Sequence, residues 1–461
     1  MAFSENDPHG GQRGRLAPIE NLHRDAMLSI IGQIPDVESL MNFIKASPNA
    51  ERHFRSYEGV TCKDLLVREL GPHLPIAVAR FEASRAEWRP RRPLIWNADQ
   101  AEEYSVKLDQ FYSRNLSDQA TKLQVSAKYF TLEGTLELLA FHRCVLGWTE
   151  GISIRMIQQP PESEFRYSKK PYERQINDQE RYRVTRMLYV TELVSILLPQ
   201  RRRPKYEEPD KDWEKFWGCF APWEFCQYLE MQTVIFESIK FLSLFIHGLP
   251  SKKPLRELEA YMHREPCARW THLYEILAFQ AGLEALKPAI DCYLTGYSTN
   301  PSKDRSLSKL YGIIDEFVEH PEMRGQWCCR YNIQWRWRSA EPTSRIYAEY
   351  KDIWLKRANV PSGDFVAYSL DTTHIQERYV DPGDGPLACW LYDILRYGER
   401  HERDKFRLRD DISFLMTSFW DRARWETIPG SRMPSVADLE KDASTQLLTD
   451  RDQVVPIAGV E

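Results

Sequence analysis

Apolar residues in this chain recur at helical spacing far more often than they alternate, and that constrains its fold more than any other feature. In Arg183–Leu198 they fall at Val184, Met187, Leu188, Leu193, Ile196 and Leu197. In Leu273–Leu286 they fall at Leu273, Ile276, Leu277, Phe279, Leu283 and Leu286, and Leu408, Ile412, Leu415 and Phe419 mark a third stripe. Spacings of i, i+3, i+4 and i+7 turn one helix face toward a core. Pro222-Trp223-Glu224 has the form of a helix start, with Pro in the first turn and an acid to complement the dipole. Strand signals are thin. Gly151–Ile157, "GISIRMI", alternates like a short strand and Asp364–Leu370 does likewise, but neither has a clear pairing partner. The expected fold is all-α.

Pro and charge mark the breaks. Gln158–Arg174 ("QQPPESEFRYSKKPYER"), Pro199–Asp212 ("PQRRRPKYEEPD") and the long Val360–Pro386 stretch read as loops. No fixed-period repeat supports a solenoid. With 461 residues the chain can bury a large core. A formal net charge of -5 gives no whole-chain case for nucleic acid or an acidic membrane surface. The nine Cys are scattered and form no CxxC, which fits reduced, buried thiols. The first fifteen residues lack a signal peptide's apolar run. Thr233–Leu249, the most hydrophobic segment, is interrupted by Glu237, Lys240 and His247 and is too short and polar to span a bilayer. These features lead to an expectation of no membrane partner and a cytoplasmic or nuclear location.

The stretch Ile19–Pro48, "IENLHRDAMLSIIGQIPDVESLMNFIKASP", packs two helical patterns into thirty residues. Leu22, Met27, Ile30, Ile31 and Ile34 define the first. Pro35 stops it, and Asp36 can cap the second through its side chain, with Glu38 in that helix's first turn. Leu40, Met41, Phe43 and Ile44 form the second apolar side, and Pro48 can open a third helix carrying Phe54. A unit this small buries little surface alone, so it needs a partner.

Those residues resemble an F-box. Leu22 matches the motif's leading Leu, Asp25 its early acid, Ile30 and Ile31 its paired aliphatics, Ile34 the next Leu, and Leu40 and Phe43 the second-helix positions. His23 stands where Pro is usual, Ala26 where Leu is common, and the spacing to Leu40 is one residue longer. The "IKASP" of Ile44–Pro48 looks like a variant found in F-box-like proteins of filamentous fungi. Further along, "NDQERYRVTRMLYVTEL" (Asn177–Leu193), "FAPWEFCQYLEM" (Phe220–Met231), "DPGDGPLACW" (Asp381–Trp390) and "SFWDRARWE" (Ser418–Glu426) are similar to a fungal family of large F-box-like proteins. The resemblance implies an F-box-like three-helix module (16–57) and a large irregular helical domain (58–430), while composition reads the polar, Gly-rich start (1–15) and the aromatic-poor, acidic tail (431–461) as disordered. It also implies docking of Leu22, His23, Asp25, Ile30, Ile31, Ile34, Leu40 and Phe43 onto a Skp-type adaptor, and through it a cullin. The helical remainder would then hold a protein substrate that the sequence does not name.

Other chemistries find less support. His263, Cys267 and His272 lie close in sequence, but a structural zinc wants four ligands, usually in two pairs, and no fourth is evident. A helical terpene cyclase needs an Asp-rich magnesium motif. Asp410-Asp411 lacks the third acid and Asn177-Asp178 lacks the matching Ser and Glu. No GxSxG, P-loop or HExxH occurs. Arg201–Arg203 is followed at once by Glu207, Glu208 and Asp210, and "QWRWR" (Gln334–Arg338) reads as core packing more readily than base stacking. In "SFWDRARWE", Phe419 and Trp420 should pack inward while Asp421, Arg422 and Arg424 pair locally or cap the helix end. The expectation is a non-enzymatic helical protein with no cofactor. The alternative is an interaction scaffold whose F-box-like hairpin is only structural, with a helical enzyme of terpene-cyclase type a distant third.

Overall fold

The computed structural model describes residues 18–89, 98–116, 130–153, 175–198, 211–221, 223–224, 227–228, 230–231, 234–235, 282–283, 386 and 419–425. Among these residues the fold is all-α, with no strand. The helices are α1 (Arg24–Gln33), α2 (Val37–Ala46), α3 (Pro48–Leu70), α4 (Leu74–Arg85), α5 (Ala98–Asn115), α6 (Leu132–Ile152), α7 (Asp178–Leu197), α8 (Lys211–Trp217) and α9 (Arg422–Trp425).

The second and third helices begin where the sequence places them, whereas the first begins at Arg24 and leaves Leu22, read as part of it, ahead of the helix; each of the three starts has a side-chain cap. His23 Nδ1 accepts from the Asp25 N–H at a long 3.4 Å. Asp36 accepts from both the N–H and the hydroxyl of Ser39 at 2.8 Å, and those bonds hold its carboxyl below the usual range. Ser47 accepts from the Ala50 N–H at 3.1 Å, directly before Pro48 in the first turn of α3. Met27 and Ile31 of α1 and Val37, Leu40 and Ile44 of α2 are buried, chiefly against Ala50 and Phe54 of α3. The Asn49 N–H donates to Glu20 at 3.1 Å, and this ties the preceding segment to the start of α3.

Helix α3 does not stop at residue 57, the expected edge of the module. Tyr57 leaves helical geometry (φ -131°, ψ 17°), with the Arg24 guanidinium 4.8 Å above its ring, and the helix then resumes to Leu70. Beyond the kink, Cys62, Leu65, Leu66 and Leu70 face inward. Glu58 accepts from the Leu132 N–H at 2.7 Å and so caps the start of α6. Gly71 ends α3 at φ 51°, a left-handed angle that favours glycine, and Pro72 follows. One helix therefore packs against α1, α2 and α6.

Helix α7 is the centre of the body. It packs on α4 and α6, and Met187, Leu188, Tyr189, Val190, Leu193 and Val194 are all fully buried. The apolar stripe read from the sequence is present, with Ile196 half-buried, but burial extends around the helix. The described residues between 223 and 235 are helical, as the Pro222-Trp223-Glu224 start predicts. Glu224 accepts from the Ala221 N–H at 2.8 Å there.

Gly151–Ile157 does not begin as a strand. Gly151 and Ile152 are the last residues of α6, and Ser153 keeps helical angles (φ -58°, ψ -47°). The inward period of Leu138, Val145, Trp148 and Ile152 carries through the segment and overrides its local alternation. Leu273–Leu286 apart from residues 282–283, Asp364–Leu370, Leu408–Phe419 apart from Phe419, the three loops apart from Lys211, Asp212 and Pro386, and both chain ends lie outside the described residues; Lys211 and Asp212 open α8 rather than end a loop.

Truncating Phe54, which has no solvent exposure, should cost about 3–5 kcal/mol as Phe54→Ala. Val60→Ala on the exposed face of the same helix should cost less than about 0.5 kcal/mol. Urea unfolding of both variants checks the inward face of α3.

Candidate functional site

The eight positions carried by the F-box resemblance divide into two sets. Ile31, Ile34 and Leu40 are buried inside the chain, Ile31 at 2% exposure. The Ile34 carbonyl also accepts from Arg68 Nη2 at 2.8 Å, which fastens the α1–α2 turn to the second half of α3. His23, Asp25 and Ile30 are exposed, Ile30 at 38%, and Leu22 and Phe43 are half-buried. His23, Ala26, Ile30 and Gln33 share the outer face of α1 by helical spacing, and all four are exposed. The backbone at His23 has φ -63° and ψ 150°, and φ -63° is the angle a proline ring imposes. The backbone there is thus one that a proline could adopt.

A second constellation lies on α7, in the segment "NDQERYRVTRMLYVTEL". Glu180 is fully buried and Arg424 forks onto it, Nε to Oε1 at 2.7 Å and Nη2 to Oε2 at 2.6 Å. The carboxylate also accepts from the Asn177 N–H at 3.2 Å and the Asp421 N–H at 3.2 Å. Arg183 donates to Asp421 at 2.6 Å and to the Phe419 carbonyl at 3.0 Å, and the Asn177 amide donates to Asp421 as well. Asp421 and Arg424 thus pair across the fold rather than locally, because Phe419 and Trp420 bury that segment against α7. Asn177 also caps α7 in a reciprocal box with Glu180.

Further along α7, Arg186 donates to Glu224 at 2.5 Å, which joins the "FAPWEFCQYLEM" segment to the same helix. Burial opposes the Arg186 charge, but the Glu224 carboxylate and Tyr182 raise its pKa above the ordinary arginine value. Glu192 accepts from Arg80 at 3.1 Å and from the Leu283 N–H at 3.0 Å. Gly282 sits beside it at φ 68°, where a Cβ would lie 3.0 Å from the Glu192 carboxylate.

Of these charged residues the sequence singled out Glu224, Asp421 and Arg424, but not their partners on α7, although a signal was present. Glu180 is four residues before Val184, Arg183 four before Met187, and Glu192 four after Leu188. The apolar stripe runs into charge at both ends on the same face, and a charge on a buried face must be paired.

A third cluster was also missed. His73, in the turn after α3, stacks on Tyr182 with centroids 4.7 Å apart and lies 6.3 Å from His142. His142 Nδ1 is 2.9 Å from the Tyr189 hydroxyl. Burial, then the neighbouring His142 and Arg186, push His73 down to about 3. Burial also lowers His142, against a backbone hydrogen bond at Glu69, and raises the Tyr189 phenol.

Among the described residues, no group of three or more His, Cys, Asp or Glu side chains could hold a metal ion. His263, Cys267 and His272 lie outside them, as do Arg201–Arg203, Gln334–Arg338 and Asp410-Asp411. No described helix is long and apolar enough to cross a membrane. Comparison of the chain with family models, curated proteins and solved structures finds no match.

Two outcomes follow from these clusters. In the unfolded chain an imidazole titrates near 6.5, whereas His73 in the folded chain stays neutral down to about 3. Between those values the unfolded state holds a proton that the native state does not, so stability falls as pH drops below 6.5. The slope is up to about 1.4 kcal/mol per pH unit for each such imidazole. His73→Phe, which keeps the ring stack, should flatten the decline in melting temperature between pH 7 and pH 5. An unchanged slope would show that His73 is not the group responsible. Separately, Gly282→Ala should destabilise by about 1–3 kcal/mol in a denaturant titration, because strain and the Glu192 contact act together.

Proposed function

We propose that the chain is a non-catalytic F-box-like adaptor, the substrate-receptor subunit of a cullin-RING ubiquitin ligase. The observation that supports this reading is the exposure of His23, Asp25 and Ile30, with Leu22 and Phe43 half-buried, on a capped three-helix unit whose core includes Ile31, Ile34 and Leu40. The proline-like backbone at His23 supports it as well. Leu22, His23, Asp25, Ile30 and Phe43 then meet the Skp-type adaptor, while Ile31, Ile34 and Leu40 hold the helices that present them. The helical body holds a protein substrate. The chemistry is scaffolding, which raises the local concentration of that substrate beside the charged ubiquitin carrier.

A second reading, a helical scaffold whose hairpin is only structural, draws on a specific observation. Helix α3 runs from the hairpin into the body, and Arg68 fastens the α1–α2 turn to it.

The two readings separate on Ile30. Titrating the purified chain with a Skp-type adaptor should give binding at micromolar concentrations. Ile30→Asp should weaken it at least about tenfold, roughly 1.4 kcal/mol, because a carboxylate would be desolvated in the contact. Its melting temperature should stay within a few degrees, since Ile30 is exposed. Ile31→Asp is the contrasting control and should unfold the hairpin. His23→Pro should preserve or improve binding and add about 0.4–1 kcal/mol of stability, since the native φ already suits proline. No binding by the unaltered chain at micromolar concentrations would refute the adaptor reading and leave the scaffold.

A further inference from the structure

We infer that residues 419–425 are a strap that locks the N-terminal end of α7, and that strap and helix end open and close as one unit. The inference is independent of the adaptor reading.

The strap carries Phe419 and Trp420, both fully buried, and then Asp421 and Arg424. It reaches back across the chain to meet Glu180 at a separation of 244 residues. Its anchorage is polar and exacting. Both oxygens of Glu180 take one bond from the Arg424 fork and one from a backbone N–H, at Asp421 or Asn177. Arg424 Nη2 also donates to the Gln175 carbonyl at 3.1 Å, and Arg183 holds Asp421 and the Phe419 carbonyl. The strap therefore bonds residues 175, 177, 180 and 183 together. A planar guanidinium on a planar carboxylate accepts one register only, so the strap cannot slide by a residue and keep these bonds.

The two parts of α7 are held by different forces. From Val184 to Leu197 the helix is buried in apolar packing on α4 and α6, with Arg186 and Glu192 paired there to Glu224 and Arg80. Residues 175, 177, 180 and 183 are held by the strap, while Arg181 pairs with Glu150 of α6 and Tyr182 stacks on His73. With the strap undocked, Glu180 would keep the Asn177 N–H but lose Arg424 and the Asp421 N–H, and Arg183 would lose Asp421. A buried carboxylate in that state is driven to water, so the first turns of α7 unwind toward solvent while the apolar remainder stays packed. Docking of the strap is thus the step that orders the capping box at Asn177.

Hydrogen exchange on the full chain tests this, read by mass spectrometry across a series of low urea concentrations. In the unaltered protein, peptides covering 178–183 and 419–425 should share one opening constant and one urea dependence. Both should open more readily than peptides covering 187–194. In Arg424→Leu or Glu180→Leu, the 178–183 and 419–425 peptides should exchange at least tenfold faster, with α2 and α3 unchanged. The double variant should recover part of the lost protection, since neither charge is left without the other. Different opening constants for the two segments in the unaltered protein would overturn the inference without any variant. So would single variants that exchange at the unaltered rate, or faster exchange spread evenly over the whole chain.

Discussion

A charged side chain on the buried face of a helix has no route to water, so a partner must be brought to it. Helix α7 carries such charges, and Glu180 at its start is fully buried. Arg424 supplies the opposite charge in a fork, and two backbone N–H groups take up the remaining acceptor capacity. Arg183, Arg186 and Glu192 repeat the pattern with Asp421, Glu224 and Arg80. Each pair draws a different part of the chain onto one helix. Buried pairs of this kind add little net stability compared with apolar packing, because desolvation opposes the attraction. Breaking one is costly all the same, and the geometry each pair demands specifies which segments meet and in what register.

The N-terminal helices are built differently. α1 and α2 close over α3 by apolar contact, with short-range caps at Asp36 and Ser47 and the weaker one at His23. This unit is joined to the body by α3, which bends at Tyr57 and continues, and by Arg68 beyond the bend, which bonds the Ile34 carbonyl of the α1–α2 turn. Glu58, just past the bend, caps α6. The hairpin is therefore carried on a stiff element, and its outward residues have a defined orientation relative to α6.

The candidate docking surface and the polar centre place different demands on their residues. On the surface, Ile30 is exposed and can be altered without disturbing what lies beneath. At the centre, Glu180 and Arg424 are bound to each other and to backbone groups, so neither changes alone. His73, in the turn that ends α3, lies 6.3 Å from His142 of α6. Burial of these imidazoles without charge makes that junction sensitive to acid.

The sequence alone determined the helical class, the starts of α2 and α3, and the inward stripe of α7, because caps and 3.6-residue periodicity are local properties. It singled out the "NDQERYR", "FAPWEF" and "FWDRAR" segments only by resemblance, with no indication that they meet. Only the tertiary structure decided what they do. Glu180 and Arg424 are 244 residues apart, and nothing local indicates that one will satisfy the other. The same holds for the F-box positions. Helical spacing put Ile30 and Ile31 side by side as equals, but α3 covers one and leaves the other in water. Gly151–Ile157 carried a strand-like alternation that the packing of α6 overrode. Local pattern settles what each segment forms; which face is covered, and which charge finds its partner, depends on contacts between residues far apart in the chain.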